Sequence, residues 1–389
     1  MNVQASHSPP LLILDTTSGS VLHKLFTYIR RSAIGRTFPR FTLFIASIAL
    51  AFIPLLVAAI WGPLSLTEST PTHQLPFLYD WNVLFMFLVS FPSLVICIAN
   101  DQHILLTSLN SVESDGTLTI AKTDASQLVV LWQKRFRKIN WIGQALGLIA
   151  GGVLAYFNYV AYTPPSVGYW IAENGNLLPV GFVLLYCVFL FYFLVPILIL
   201  RIIFIAVLLR DIVAHSTLRI LPLHPDKSGG LRSMGTLGLR NQYLLTIFGL
   251  NIVLMAAIPF HYLQAPITLY GLTATAVIGY LILGPVIFLA PLIPFRNGML
   301  SFKNNLMVAV AQRLHIELER LRTQMKSEAI TEKDADLIER LQKIASAIDQ
   351  LPVWPFDAAT MRKFVVAYAV PLFSGPIPKA IFEAVKPHF

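Results

Sequence analysis

Six stretches of this chain, residues 41–63, 81–100, 141–163, 178–200, 242–264 and 266–295, are apolar and free or nearly free of charge. A helix needs about 20 apolar residues to cross the hydrocarbon core of a bilayer, so each run has the length of a span. Charged residues make up only 13% of the 389, against about 25% in ordinary soluble proteins. That shortage excludes a soluble globular enzyme, and the supply of aromatic and branched aliphatic residues excludes a disordered chain. The runs are continuous and do not alternate, which excludes a β-barrel. Pro54, Pro92, Pro196, Pro259 and Pro285 interrupt several of them, as a membrane helix packed among neighbours tolerates. The predicted fold class is an all-α integral membrane protein with six transmembrane helices.

Arginine and lysine set the direction of such spans, because cytoplasmic connections retain them. Of the 29 basic residues, five lie in residues 1–40, five in 101–140, five in 210–240 and thirteen in 296–389. Arg201, near one end of the fourth run, completes the set, while connections 64–80 and 164–177 and the short one at Ala265 hold none. Both termini and the two long connections are therefore expected in the cytoplasm, with the spans in a cell inner membrane. The chain divides into an N-terminal cytoplasmic segment (1–40), a six-span domain (41–295) and a cytoplasmic helical tail (296–389). Leu11 to Leu14 is too short for the core of a signal peptide. Cys97 and Cys187 fall inside runs, where no external disulfide is expected. The net charge of +9 fits the positive-inside bias and an anionic lipid surface, and no nucleic-acid module is visible.

Two basic clusters flank the spans. In residues 19–37, Val21, Leu22, Leu25, Phe26, Ile29, Ala33 and Ile34 recur at helical spacing, with Lys24, Arg30, Arg31 and Arg36 elsewhere. That is the pattern of an interfacial amphipathic helix. Lys134, Arg135, Arg137 and Lys138 sit at the mouth of the third run. Both clusters are candidate contacts for anionic lipid, with simple orientation and snorkelling as the competing role. Arg201 would be costly in mid-membrane, so it is expected to snorkel to the same interface.

In the tail, Met307, Val310, Leu314, Leu318, Leu321 and Met325 form one apolar helical stripe. Thr331 and Asp334 resemble a capping box that opens a second helix through Ile338, Leu341, Ile344, Ala345 and Ile348. A two-helix hairpin leaves apolar surface to cover, which points to a homo-oligomer or a cytoplasmic protein partner. Residues 360–385 turn apolar again but carry three prolines, so an interfacial or re-entrant segment is expected there. Asp15, Asp124, Asp226 and Asp357 each stand between an apolar stretch and a helix-forming one, where aspartate is a good N-cap.

The loop His224-Pro225-Asp226-Lys227-Ser228-Gly229-Gly230 opens with the tripeptide of J-domain co-chaperones. That domain needs the tripeptide between two soluble helices of a compact bundle, and here it lies between spans. Paired glycines allow positive φ and close backbone approach. The loop is therefore a tight turn against the cytoplasmic mouth, or else a gate or ligand loop, formed by His224, Pro225, Asp226, Gly229 and Gly230, that exposes backbone donors. LPLHPDKSGGLRSMGTLG before a span, with LPVWPFDAATMRKFVVAYAVPL in the tail, resembles a family of uncharacterised bacterial multi-pass membrane proteins. The resemblance covers mainly residues 220–295 and 350–375, and it implies an inner-membrane protein with no catalytic residue to carry across.

No nucleophile elbow, P-loop or paired intramembrane catalytic groups appear, so no enzyme activity and no cofactor are expected. His315 and Glu319 lie one helical turn apart, short of the ligand number that zinc wants. The runs carry amides: Asn82, Gln144, Asn158, Asn251 and Gln264. These either hydrogen-bond between helices or line an aqueous pathway. Asp80 and Asp101 bracket the second run, so no acid is expected within the bilayer, which disfavours proton coupling. The expected activity is an oligomeric channel or permease-like conduit for small ions or polar solutes; the alternative is a non-transporting scaffold or sensor whose cytoplasmic helices recruit a partner. For the topology, cysteines introduced at Ser69 and Gly175 are expected to react with an impermeant thiol reagent added outside the cell. Labelling of both only from the cytoplasmic side would reverse the assignment.

Overall fold

Apolar segments that find no water for their backbone must satisfy it internally, and the helix does so within one segment. The computed structural model describes residues 15–373 apart from 18, 31–36, 63–65, 68–74, 165–168, 222–223, 262–266 and 325–331. Its helices are α1 (Val21–Arg30), α2 (Pro39–Trp61), α3 (Trp81–Ser114), α4 (Lys122–Tyr162), α5 (Pro179–Ala214), α6 (Arg232–His261), α7 (Ile267–Leu289), α8 (Ile293–Gln324), α9 (Glu332–Asp349) and α10 (Ala358–Phe373). Among the described residues, α2, α3, α4 from Asp124 onward and α5 are each long and apolar enough to cross a membrane. A fifth crossing arises if α7 and α8, bent by 47° at their junction, are taken as one broken span.

Three of these helices far exceed a bilayer. α3 spans 34 residues, α4 has 41 and α5 has 36, so each continues about 15–20 residues beyond a crossing. The basic cluster Lys134 to Lys138 is therefore the middle of one continuous helix. α3 contains a π-turn at Met86–Ser90, just ahead of Pro92, whose ring clashes with an ordinary preceding turn.

The connections sort to two ends. At one, strands β1 (Leu118–Ile120), after α3, and β4 (Ser216–Leu218), after α5, pair antiparallel with Leu118 opposite Leu218. At the other, β2 (Ala172–Glu173) and β3 (Asn176–Leu177) make a short hairpin between α4 and α5. Leu75 bridges to Tyr169 there, so the two connections without a basic residue meet. The apolar interior is likewise double. One core gathers residues such as Leu55, Phe87, Leu94, Val188 and Leu198; the second gathers Leu105, Trp132, Phe136, Leu209, Met234 and Phe295.

Close backbone approach sets the α4–α5 pair. Gly143, Gly147 and Gly151 fall on one face, and they meet Ile197, Phe193 and Phe189 of the antiparallel α5. A Cβ on Gly151 would lie 2.9 Å from the Phe189 carbonyl oxygen, and one on Gly147 would overlap the Phe193 carbonyl. Such small-residue seams let helices pack where apolar burial against lipid gives no drive.

The tail folds back. α9 packs along α8, and Lys303 Nζ reaches Asp349 Oδ1 at 2.9 Å. The first stripe is not uniform: Leu321 is buried but Leu318 is exposed, and Glu317 occupies a buried place held by Arg313 at 2.8 Å. Then α10, capped by Asp357 Oδ1 accepting from Thr360 N at 2.8 Å, runs alongside α6 from Gly235, beside Pro355, to Gly249, beside Pro371. The Thr246 hydroxyl donates to the Ala367 carbonyl at 2.9 Å, and the Tyr280 hydroxyl of α7 to the Tyr368 carbonyl at 3.0 Å. Residues 358–373 thus pack with one face against the middle of α6 and α7 and leave Val365, Val366 and Val370 exposed; residues 374–385 lie outside the described residues.

The α4–α5 seam makes a contrast. Gly147→Leu is expected to cost about 1–3 kcal/mol through overpacking, read as a lower unfolding temperature in detergent. Gly152→Leu, where an added Cβ meets nothing within 4 Å, is expected to leave that temperature unchanged.

Candidate functional site

Two polar features interrupt the apolar interior. The first begins at the end of the fold that holds the β2–β3 hairpin. Asp80 precedes α3 and caps it, with Oδ1 accepting from Val83 N at 3.0 Å. Its Oδ2 accepts from the Tyr169 hydroxyl and from Trp170 Nε1 at 3.0 Å. Asp80 is fully buried, and that burial pushes its carboxyl above the usual carboxylate range against the pull of these donors. One carboxylate therefore fastens the α4–α5 connection onto the start of α3.

Just inside this cap lies the amide cluster. Asn251 of α6 donates through Nδ2 to Asn82 Oδ1 at 2.5 Å, and its Oδ1 accepts from the Ser90 hydroxyl of the π-turn at 3.1 Å. Asn82, Asn158 and Asn251 line one small cavity of about 30 Å³ together with Tyr162, Tyr169 and Tyr192, which is room for a water. Beside it an apolar cavity of about 260 Å³ opens between α3, α5, α6 and α7, sharing Met86, Tyr192, Asn251 and Met255 as walls. Three of the five span amides thus come together. Gln144 does not join them: its Nε2 donates to the Asn140 carbonyl at 2.9 Å and to the Gly19 carbonyl at 3.4 Å, far along α4. Gln264 lies outside the described residues.

The second feature is ionic. Asp101 of α3 accepts from Arg201 Nε at 3.1 Å through Oδ2 and from Arg240 Nη2 at 2.9 Å through Oδ1. The Arg201 and Asp101 side chains are only 4% and 3% exposed. Arg201 also donates from Nη1 to Asn140 Oδ1 at 3.4 Å and from Nη2 to the Thr16 hydroxyl at 3.3 Å, and Asn140 Nδ2 donates to the Thr16 carbonyl at 3.1 Å. The layer joins α3, α4, α5, α6 and the segment ahead of α1, at the boundary between the two apolar cores. Two residues past Arg240, the Gln242 amide is fully buried, with neither atom hydrogen-bonded among the described residues.

This layer corrects two sequence expectations. Arg201 does not snorkel to lipid, because a buried carboxylate one helix away gives its charge a closer partner than the interface. Asp101 does not merely bracket a span; it is buried between two guanidinium groups. The signal was present as one acid and two arginines at matching span ends, but it needed tertiary proximity to be read.

The other candidate sites fall as follows. In the His224–Gly230 loop, Asp226 accepts from Ser228 N at 2.8 Å, Gly230 N at 3.0 Å and Arg232 N at 3.2 Å, with His224 Nδ1 at 2.8 Å. Burial opposes ionisation of Asp226, and these donors outweigh it to hold the carboxyl below its usual range. Of the loop's backbone donors, Ser228 N and Gly230 N are thus spent on its own carboxylate, His224 N on the Leu221 carbonyl and Asp226 N on His224 Nδ1; the carboxylate also receives the first N–H of α6. Gly229 and Gly230 take φ of +67° and +91°, and a side chain on Gly229 would strike Ile220; Pro225 is exposed beside them. Lys134, Arg135, Arg137 and Lys138 are exposed around the buried Trp132 and Phe136, and Arg135 pairs with Asp211 at 3.2 Å. The side chain of Arg30 and all of Arg31 lie outside what is described. Among the described residues no three metal-ligating side chains converge. No family model, curated protein or solved structure matches the chain.

Arg201→Met leaves part of the Asp101 charge buried without a partner and removes one of the two hydrogen bonds that hold Thr16 to the layer. Breaking a buried pair from one side costs about 3–5 kcal/mol, so the variant is expected to unfold earlier in detergent and to be cleaved sooner before α1. Asp101→Asn combined with Arg201→Met should cost less than the sum of the single changes.

Proposed function

We propose that the chain is a six-span protein of the cell inner membrane, with both termini, the β1–β4 ribbon and the α8–α9 hairpin in the cytoplasm. Its role in this reading is that of a non-transporting scaffold or sensor whose cytoplasmic helices recruit a partner, a second copy of the chain first of all. The observation that carries it is the ionic layer of Asp101, Arg201, Arg240 and Asn140, which fills the interior between the two cores with paired, buried groups. A conduit would need an aqueous opening at that level. Further support comes from α7, 23 residues without a charge, which with α6 supplies the fifth and sixth spans. The basic connections share the β1–β4 end, as a cytoplasmic face should. On the hairpin, Val308, Ile316, Leu318 and Ile344 are exposed, which is apolar surface suited to assembly.

One observation favours a second reading, a conduit for small polar solutes or ions without proton coupling: Asn82, Asn158 and Asn251 face one cavity. Flux assays separate the two. Purified protein in liposomes is expected to pass no more ion or solute than empty vesicles under applied voltage, pH difference or osmotic load. Flux that disappears in Asn251→Leu and Asn158→Leu would establish the conduit instead. In nanodiscs the wild type should run as an oligomer, and Ile316→Glu with Leu318→Glu should reduce it to one chain.

A further inference from the structure

Between α3 and α6 lies a laterally open groove of about 310 Å³ that neither the amide cluster nor the ionic layer uses internally. One end is polar: Arg40 at the start of α2, Asn100 on α3 and Arg240 on α6. The rest is largely apolar, with Ile96, Leu244 and Ile247 continuing along both helices. Arg240 spends Nη2 on Asp101 and Nε on Asn241 Oδ1 at 3.3 Å and interacts with the Cys97 thiol in the same groove wall, while its buried Nη1 meets no oxygen or nitrogen acceptor among the described residues. Asp101 offers one negative charge to both Arg201 and Arg240, so the trio keeps one positive charge. Arg40, exposed at the rim, adds a second.

The depth of these groups is set by the sequence. Arg40 stands just before the run 41–63, Asn100 ends the run 81–100 and Arg240 stands just before the run 242–264. All three mark the same boundary between apolar and polar chain, and in the proposed orientation it is the cytoplasmic one. A donor without an oxygen or nitrogen acceptor, a surplus of positive charge and an apolar slot leading away from it call for one kind of occupant: an anionic group with a hydrocarbon chain attached. We propose that this groove binds one anionic glycerophospholipid, its phosphate on Arg40 and the Arg240 guanidinium and one acyl chain along Ile96, Leu244 and Ile247. The site is separate from the basic clusters at Arg30–Arg31 and Lys134–Lys138, none of which lines this groove.

This rests on the membrane reading of the helices but not on whether anything is transported or recruited; a chain recovered outside the membrane fraction would fail that reading before any lipid is added. Full-length protein in a neutral detergent is titrated with phosphatidylglycerol, phosphatidylcholine or inorganic phosphate and followed by native mass spectrometry. Retention of one phosphatidylglycerol per chain is expected, with phosphatidylcholine held far more weakly. Arg40→Gln, outside the ionic layer, should weaken phosphatidylglycerol binding about fivefold, the loss of one basic contact near a membrane surface. Leu244→Trp should block the apolar end while leaving both arginines in place, and abolish retention. Unfolding temperatures equal to wild type verify that both variants are folded. Equal retention of the two lipids, or wild-type binding by both variants, would overturn the site. Inorganic phosphate binding as tightly as phosphatidylglycerol would replace the lipid by a free anion.

Discussion

A single buried carboxylate organises the place where the two apolar cores meet. Taking Asp101 out of water costs several kcal/mol that apolar neighbours cannot return. The fold therefore has to bring cations to it from elsewhere, and it does so from α5 and α6 at once. Arg201 in turn has donors left over after one ion pair, and these hold Asn140 of α4 and Thr16 ahead of α1. Each added partner narrows the register of another helix. Apolar contacts tolerate sliding by a turn, because one leucine replaces another; a guanidinium aimed at one carboxylate does not. The ionic layer thus specifies how the four helices sit against each other, while the cores on either side supply most of the burial.

The long helices gain their meaning from this division. Because α3, α4 and α5 run without a break through both cores, a shift at the amide-lined end cannot be absorbed by a hinge loop. It must be taken up at the π-turn of α3, at Pro196 within α5, or by sliding along the α4–α5 glycine seam. The seam resists sliding, since its close contacts are with the backbone carbonyls of Phe189 and Phe193 as well as with their rings. The π-turn is the softer point, and it carries Ser90 to the Asn251 pair. α10 adds a further brace, since it lies against both α6 and α7 and ties the chain's C-terminal part to the helices that wall the larger cavity.

Helices were legible because an uncharged run of some twenty residues has few other solutions, and the alternation of basic connections matches the two ends of the fold. The turn chemistry was legible at Asp226 and Asp357, both of which receive N–H groups of the helix that follows. At Asp124 it was not: α4 opens at Lys122 with Ala121 in the capping position and no side-chain cap, so the aspartate falls in the first turn, where it still suits the helix dipole. What sequence could not show is pairing across distance. Asp101 and Arg201 are 100 residues apart, and Asp101 and Arg240 are 139 apart; each alone reads as a span-end charge facing water. Glu317 illustrates the same limit in the tail. Its neighbours predict an apolar stripe through Leu318, yet Arg313 and Arg320 neutralise Glu317 well enough for it to take the buried place.

Arg240 belongs to both of the polar arrangements on this side of the fold, and that has a physical consequence. Its Nη2 bonds Asp101 while the same side chain also walls the groove. An anion in the groove would compete with Asp101 for one guanidinium, and the competition acts directly on the register of α3 against α6. The adjacent Gln242 amide is buried with no hydrogen-bond partner among the described residues, and an unsatisfied buried amide gains most from any new partner. An anion against the outer face of α3 and α6 would thus give the layer a second way of distributing its donors. A ligand shifts such an equilibrium only by its differential affinity for the two arrangements, and here that difference would lie in how the Arg240 guanidinium is shared between Asp101 and the groove. Under the proposed sensor reading, Arg240 is therefore the residue through which an occupant of the groove acts on the buried layer.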